Sequence, residues 1–268
     1  MPQSLVRSLL APAYGHALRV LYSRTGLPWT VHDQVIRIDP RARHLVPHEG
    51  EPALFDFLAH TIRPGDIVLD VGAFVGVYAV LAARWSGPRG RVVAFEPTPS
   101  SAALARRHLA YNGFGPNRVS LIEAAVSDRA ARATLHQYDD SAMPYVNSLV
   151  AAVDSDAPAV TQQVDVVTID EVCRELEIVP SVIRMDVQGA EIHALRGARA
   201  TIRGASRLSL VVEMHPQCWP AFGVTAEDAR DTLAELGLTA RPLVDGEALF
   251  ARDTHAVLSL ESSRGSAA

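Results

Sequence analysis

The chain has 268 residues, of which 48% are hydrophobic and 21% are charged, and its 30 acidic and 25 basic residues give a net charge of −5. A chain of this length can bury a substantial core and fits one α/β domain with appendages better than two full domains. Because no run of five or six lysines and arginines occurs, the electrostatic footprint of a nucleic-acid-binding protein is missing and no nucleic acid partner is expected.

The sequence contains two cysteines, Cys173 and Cys218. They are in neither a CxxC nor a Cys/His ligand spacing, so we expect neither a disulfide framework nor a structural zinc site. This cysteine usage suits a reducing compartment and predicts a cytoplasmic protein.

Residues 1–60 are predicted to form an N-terminal appendage. Its first part carries apolar residues at helical spacing, but Pro12 breaks the helix, and Arg7 and Arg19 interrupt any signal-like or membrane-spanning core. No membrane partner is therefore expected. The apolar side chains of this helix could cover the active site or pair two protomers in a homodimer. Further on, Trp29–Ile38 alternates like a pair of strands.

Residues 61–260 are predicted to form one domain, because short β-branched runs alternate with helical patterns, as in βαβ units with a mostly parallel sheet. Its predicted strands are Ile67–Val71, Arg91–Phe95, Val119–Glu123, Val182–Asp186 and Leu208–Glu213. After them, Leu238–Leu243 and Ala248–Arg252 flank Asp245-Gly246, which is a hairpin-turn signal. The sheet is thus expected to end with an antiparallel pair, followed by a disordered tail at 261–268.

One region departs from this alternation. Residues 131–168 join β-like pieces through a loop rich in Ser, Asp, Ala and Pro. The part from Asp139 to Ser148 is long enough either to act as a lid over a site or to be disordered.

The segment VLDVGAFVGVYAV, Val68–Val80, is a buried-strand pattern that meets two glycines and then continues with helical spacing. Glycines there let a ligand approach the backbone at a helix N-terminus. The spacing is GxxxG, so the GxGxxG fingerprint of a pyrophosphate cradle is not met. Glu96 ends the next strand pattern at the position where an acidic side chain can bind ribose hydroxyls. A ribose site without a pyrophosphate cradle predicts an adenosyl ligand, although Asp70 and Glu96 could also be strand-end carboxylates without a ligand.

Five segments resemble the FkbM family of S-adenosylmethionine-dependent methyltransferases: VLDVGAFVGVYAV, VVAFEPTPSSAALARRHLAYNG, VTIDEV, VIRMDVQGAEIHALRGA and LVVEMHP. The resemblance spans roughly residues 63–216, and MDVQGAE is its most specific part. It implies a class I methyltransferase fold: a Rossmann-like, doubly wound, mostly parallel seven-stranded sheet whose last strand is antiparallel.

The resemblance also implies a site for S-adenosylmethionine, from which S-adenosylhomocysteine is the product. Asp70, Gly72, Ala73 and Gly76 would border its methionine part, Glu96 would hold its ribose, and Ala125 and Val126 would flank its adenine; Phe74 and Pro97 complete the predicted set. The sequence departs from the family pattern at Phe74, where Asn is usual, and at Gln188, where Glu is usual.

Methyl transfer from a sulfonium needs mainly alignment of the acceptor, assisted by a base when the acceptor is an alcohol. The candidate catalytic residues are Asp186, Glu213 and His215, which follow two strands at the carboxyl edge of the sheet, where open α/β sheets bind ligands. His215 is expected to take a proton near neutral pH. The same three side chains could instead hold a divalent metal ion that orients a diol; this alternative is not favoured.

The predicted activity is O-methylation of a small-molecule hydroxyl, since FkbM-like enzymes are associated with polyketide, glycoside and other secondary-metabolite acceptors. Two alternatives stay open. A nicotinamide-dependent oxidoreductase would require NAD to bind despite the GxxxG spacing, and a non-catalytic adenosyl-binding module would bind the cofactor without methylating any acceptor.

Overall fold

The computed structural model describes residues 14–138, 147–149 and 159–260. Of the predicted Asp139–Ser148 loop, residues 139–146 lie outside the described part, as do the predicted tail and the first 13 residues of the appendage.

The N-terminal flank contains a helix, a strand pair and a second helix: α1 (residues 14–21), β1 (Leu27–Val31), β2 (Gln34–Ile38) and α2 (Pro52–Thr61). The strand pair predicted over Trp29–Ile38 is confirmed, and it is antiparallel, with Trp29 opposite Ile36.

The first half of the domain alternates strands and helices as predicted: β3 (Ile67–Val71), α3 (Val77–Trp85), β4 (Arg91–Phe95), α4 (Pro99–Tyr111) and β5 (Val119–Ile122). The chain then forms a separate four-stranded sheet from β6 (Ala124–Val126), β7 (Ala131–Tyr138), β8 (Asn147–Ser148) and β9 (Ala159–Val167). The β-like pieces predicted over 131–168 therefore belong to an inserted sheet of their own.

The second half returns to the main sheet through α5 (Ile169–Glu175), β10 (Val182–Met185), α6 (Glu191–Arg196), α7 (Arg199–Gly204), β11 (Ser209–Met214), α8 (Ala226–Glu235), β12 (Leu238–Pro242) and β13 (Thr254–Leu260). Helix α5 begins with a reciprocal capping box between Thr168 and Glu171, which satisfies two backbone N–H groups that the helix leaves unpaired.

The main sheet has seven strands in the order β12-β13-β11-β10-β3-β4-β5. Strands β5, β4, β3, β10 and β11 run parallel, and β13 runs antiparallel to both of its neighbours. This is the doubly wound arrangement that the family resemblance implied, so the predicted fold class is confirmed. One predicted strand is wrong: Ala248–Arg252 lies in the connection after β12, and the returning strand begins only at Thr254.

Both faces of the parallel strands are buried, which explains why they read as continuous apolar runs. Side chains of a strand alternate between faces. In β4, Val93 and Phe95 join the core under α5, α6 and α8, whereas Val92 and Ala94 join the core under α2 and α3. The sheet is therefore covered on both sides, and the edge formed by the carboxyl ends of its parallel strands is left to form a site.

Candidate functional site

A cavity of about 450 Å³ lies at the carboxyl ends of β3, β4 and β10. Its volume is in the range of small-molecule and cofactor sites. The strand order reverses between β3 and β10, because the chain runs outward from β3 to β5 and then crosses back to β10. Ligands of open α/β sheets bind at such a switch point.

Three parts of the chain wall the cavity. The domain contributes the turn after β3 and the ends of β4, β10 and β11; the inserted sheet contributes Leu135 and Leu149; and the N-terminal flank contributes Val31, Leu45 and Val46. The flank predicted as an appendage thus closes part of the site.

Gly72 forms the turn between β3 and α3, and close packing explains why the position is glycine. Its φ is 82°, and a Cβ there would lie 1.8 Å from the backbone oxygen of Asp186. Only glycine tolerates both the positive φ and this contact between the ends of β3 and β10. Gly76 also has positive φ, but its added Cβ would meet Ala105 of α4 at 2.9 Å, so this glycine serves helix packing.

Glu96 follows β4 and lies almost fully buried on the cavity wall. Its Oε2 accepts a hydrogen bond from the Phe74 backbone N–H at 2.8 Å, and its Oε1 accepts one from the Thr98 N–H at 2.8 Å. Burial raises the pKa of this carboxyl group, although the two N–H donors oppose the shift. Glu96 therefore joins the two turns at this end of the cavity and presents a carboxyl group to it.

Most of the residues predicted to contact the cofactor line this cavity: Gly72, Ala73, Phe74, Glu96, Pro97, Ala125 and Val126. Asp70 and Gly76 are not among the described lining residues. Phe74 adopts a φ of 49°, a left-handed conformation that asparagine, usual at this position in the family, takes more readily than a bulky residue.

Asp70 is buried beneath the cavity, where it faces the guanidinium of Arg184 at 3.4 Å. Burial raises the pKa of Asp70, and the positive charge of Arg184 opposes the rise. Arg184 also donates to the Gly72 carbonyl at 2.7 Å and to Asp186 Oδ2 at 2.9 Å. Asp70 thus contacts Arg184, and Arg184 connects the glycine turn to the end of β10.

Asp186 lines the cavity, with both of its oxygens already accepting hydrogen bonds. Arg184 donates to Oδ2, and the Gln188 side-chain amide donates to Oδ1 at 2.9 Å. A glutamate at position 188 could donate here only in its protonated form, so Gln188 keeps this contact at any pH.

Glu213, at the end of β11, lines the cavity with its side chain 21% exposed. Burial, followed by the negative charge of nearby Asp186, raises its pKa to about 7, while His255 and His215 oppose the rise. A carboxyl group with this pKa exchanges protons near neutral pH, as a general base must.

His215 is buried and is not among the described lining residues. Its Nδ1 lies 2.8 Å from Glu191 Oε1, and its Nε2 lies 3.6 Å from Glu213 Oε1. Burial alone would lower its pKa, but the hydrogen bond and charge of Glu191, with Asp186 and Glu213, raise it to about 9. The raised pKa favours the protonated form of His215, which contacts Glu191.

Glu191 is fully buried in the first turn of α6 and accepts three hydrogen bonds: from His215, from the Gly189 N–H and from the Trp219 indole N–H. A buried carboxylate requires such partners. The Glu191–His215 pair supports the end of β11, on which Glu213 is carried.

Among the residues that the structure describes, two groups of side chains bring three ligand-type atoms within 4.8 Å of one another: Asp186, Glu213 and His215, and Glu51, Glu213 and His255. The first is the set weighed as a metal alternative. It brings two carboxylates and one imidazole together, which are oxygen and nitrogen ligands that a divalent cation can take.

Glu51, Tyr78 and Arg184 also line the cavity, and none of them was predicted from the sequence. For Arg184 a signal existed, because a charged residue within the apolar strand pattern VIRMDV must be paired if the strand is buried. Glu51 and Tyr78 carry no comparable signal, since a glutamate before a helix and a tyrosine in a helix are ordinary surface choices.

The fold and the site together define a class I methyltransferase architecture. The model of the FkbM methyltransferase domain matches residues 70–238, so the chain belongs to the FkbM methyltransferase family. A comparison with curated proteins returned no match.

Several solved structures are similar to this chain. The FkbM methyltransferase from Methylobacillus flagellatus KT is 16% identical with a TM-score of 0.46, covering 76% of this chain and 50% of its own. The chain therefore spans half the length of that protein. The ribosomal protein L11 methylase from Lactobacillus delbrueckii subsp. bulgaricus is 14% identical with a TM-score of 0.48, and the match covers 85% of this chain and 86% of the methylase. The precorrin-6y C5,15-methyltransferase from Geobacter metallireducens GS-15 is 13% identical with a TM-score of 0.47, and the match covers 81% of this chain and 90% of that protein.

Within the described residues, each helix is too short or too polar to span a lipid bilayer.

Proposed function

We propose that this protein is an S-adenosylmethionine-dependent O-methyltransferase that methylates a hydroxyl group of a small molecule, such as a polyketide, a sugar or a glycoside. The observation that carries the proposal is a single cavity with Glu96 at the end of β4 and Glu213 at the end of β11. These two strands are three places apart in the sheet. That separation is roughly 14 Å, enough for a nucleoside end and a reacting end.

The lining residues fit an adenosyl ligand. Glu96 would bind the ribose, the apolar Ala125 and Val126 would flank the adenine, and the turn from Gly72 to Phe74 would hold the methionine part. A carboxyl group beside a small apolar wall matches a ribose joined to a flat base, and the GxxxG turn provides no pyrophosphate cradle.

The acceptor end contains a group that can remove a proton. When bound, S-adenosylmethionine supplies an electrophilic methyl group on a positively charged sulfur that leaves as a neutral thioether. Glu213, whose pKa is about 7, accepts the proton of the acceptor hydroxyl. Arg184 and Gln188 hold Asp186 in place, which keeps its negative charge beside Glu213.

The proposed partner is a small molecule rather than a nucleic acid or a membrane, and the proposed location is the cytoplasm. The acidic net charge supports the first part, because RNA binding is dominated by contacts with phosphates. Three parts of the chain line the cavity, which favours a compact acceptor.

The proposal is tested by calorimetric titration with S-adenosylmethionine, S-adenosylhomocysteine and NAD. We expect both adenosyl ligands to bind with micromolar affinity, and Glu96→Ala to abolish binding while Glu123→Ala, an exposed glutamate one strand away, leaves it unchanged. Melting curves of both variants check that the protein folds. Binding of NAD alone would favour an oxidoreductase, and binding without methylation of any hydroxyl would favour a non-catalytic module.

A further inference from the structure

Glu51 lies in the part of the cavity that the N-terminal flank contributes, and its position is outside the segment matched by the family model, residues 70–238. It immediately precedes α2, yet its side chain does not cap that helix. Instead Oε2 accepts a hydrogen bond from the Tyr78 hydroxyl at 3.1 Å, and Oε1 lies 3.0 Å from His255 Nε2. The carboxylate is thus held at the cavity wall by residues on α3 and β13.

This end of the cavity has more negative than positive charge. Glu51, Asp186 and Glu213 line it, and Arg184 is the one arginine or lysine among the described lining residues. Arg184 is already bonded to Asp186 and to the Gly72 carbonyl.

The buried His215 does not offset the excess of negative charge in the cavity, because its own charge is paired with Glu191. His255 Nε2 contacts Glu51 at 3.0 Å and Glu213 at 3.5 Å, so a single imidazole lies between two carboxylates.

Glu51 stays ionised in this setting. Burial would raise its pKa, but the contact with His255 and the charge of Arg184, with the Tyr78 hydroxyl, lower it. Its side chain is 38% exposed, so it is open to a ligand that enters the cavity.

We propose that Glu51 determines acceptor specificity by binding a protonated amine that lies beside the hydroxyl to be methylated. This inference rests on the proposed function. The acceptor is therefore an amino alcohol, such as an amino sugar, whose ammonium group contacts Glu51 while its hydroxyl lies against Glu213. The oxygens of these two carboxylates are within 4.8 Å of each other, so neighbouring groups of one molecule can reach both.

The remaining walls agree with such an acceptor. Val31, Leu45 and Val46 offer an apolar surface to its carbon skeleton. A cavity lined mainly by one sign of charge attracts ligands of opposite charge and repels those of like charge. Acceptors with a carboxylate or phosphate beside the hydroxyl are thus excluded.

The test uses the full chain saturated with S-adenosylhomocysteine and three matched probes titrated by calorimetry at low salt. They are trans-2-aminocyclohexanol, trans-1,2-cyclohexanediol and trans-2-hydroxycyclohexanecarboxylate, which share a ring and a hydroxyl and carry beside it an ammonium, a second hydroxyl or a carboxylate. We expect the amino alcohol to bind about fivefold more tightly than the diol, and the hydroxy acid to bind most weakly.

Variants of Glu51 and Glu49 test whether the amino alcohol is preferred because its ammonium contacts Glu51 or because of long-range attraction to negative charge. Glu51→Gln is expected to bring the amino alcohol to the affinity of the diol, and Glu51→Asp, which keeps the charge but shortens the side chain, to give an intermediate value. Glu49→Gln changes an exposed glutamate two positions away and should leave all three affinities unchanged.

The inference is overturned if the diol binds as tightly as the amino alcohol, if Glu51→Gln has no effect, or if none of the probes binds while S-adenosylhomocysteine does. It is also overturned if Glu51→Gln weakens S-adenosylhomocysteine binding, because Glu51 would then contact the cofactor. Failure of the wild-type chain to bind S-adenosylhomocysteine would instead overturn the proposed function.

Discussion

Individual carboxyl groups in this site differ in pKa because their neighbours differ. Glu51 has a lowered pKa, because the contact with His255, the charge of Arg184 and the Tyr78 hydroxyl outweigh the effect of burial, which would raise it. Glu213 has a raised pKa, because burial and the charge of Asp186 outweigh two histidines. Groups whose environments separate their pKa values can take different roles, one as a fixed charge and the other as a proton acceptor.

For Glu213 we predict a loss of turnover on substitution by glutamine. Glu213→Gln removes the proton acceptor and should lower kcat by about two to four orders of magnitude, while the affinity for S-adenosylhomocysteine stays within about twofold. In the wild type, kcat should rise as the pH increases through about 7, because the basic form of Glu213 accumulates. A variant whose kcat is unchanged and still rises through pH 7 would contradict the assignment. Glu123→Gln is the matched control.

For His215 we predict an effect on stability. Its pKa is raised from 6.5 to about 9, so its contribution is fully present below pH 6.5 and is lost as the pH rises to 9. The contribution is about 3 kcal/mol in the free energy of unfolding. The raised pKa of Glu213 changes stability at lower pH: it decreases the free energy of unfolding as the pH rises from about 4.5 to about 7.

Urea unfolding at pH 6.5 and pH 9 measures this contribution. His215→Asn should be less stable than the wild type at pH 6.5 and should lose less stability between the two pH values. The same substitution at the exposed His60 serves as control, and an identical pH dependence in wild type and His215→Asn would show that the imidazolium is not stabilising.

At the scale of elements, the turn between β3 and α3 depends on how closely β3 and β10 approach. Gly72 directly follows Val71, the last paired residue of β3, and the nearest atom to an added Cβ is a backbone oxygen, which cannot move aside as a side chain does. Strand order, and not the turn alone, therefore determines that this position is glycine.

We predict that Gly72→Ala costs much more stability than Gly65→Ala. Both residues have positive φ, but an added Cβ at Gly65 meets no atom within 4 Å. Gly65→Ala should therefore cost about 1–2 kcal/mol for the backbone conformation alone. Gly72→Ala should cost several kcal/mol and abolish S-adenosylhomocysteine binding, as measured by urea unfolding and calorimetry. Equal costs would mean that the contact with Asp186 relaxes easily.

At the scale of the whole molecule, the net charge bears on whether RNA or a small molecule is the expected methyl acceptor. The chain carries five more acidic than basic residues, so we expect its net charge to repel phosphate backbones rather than attract them. We predict no RNA binding in fluorescence anisotropy at low salt. An affinity for RNA that falls steeply with added salt would contradict the small-molecule proposal.

Much of the fold could be predicted because its signals are local. The strands β3 and β4 were predicted at their observed bounds, since apolar β-branched runs between helical patterns are read from neighbouring residues. The returning strand β13 was misplaced because its connection after Gly246 is longer than a tight hairpin, and connection length is decided by pairing with β11. Likewise, the contact between His215 and Glu191 could not be predicted from the sequence, because it depends on α6 packing against β11.

The sequence by itself determined the class of fold, the glycine turn and the position of Glu96, because periodicity, glycine and a strand end are properties of short segments. Only the tertiary structure decided which carboxyl groups share a cavity and how each one titrates. Arg184 and Asp70, which meet across β10 and β3, are 114 residues apart, and Glu51 reaches Tyr78 from a flank outside the family segment. Burial and neighbouring charge act through space, so the raised pKa of Glu213 arises only when distant strands assemble.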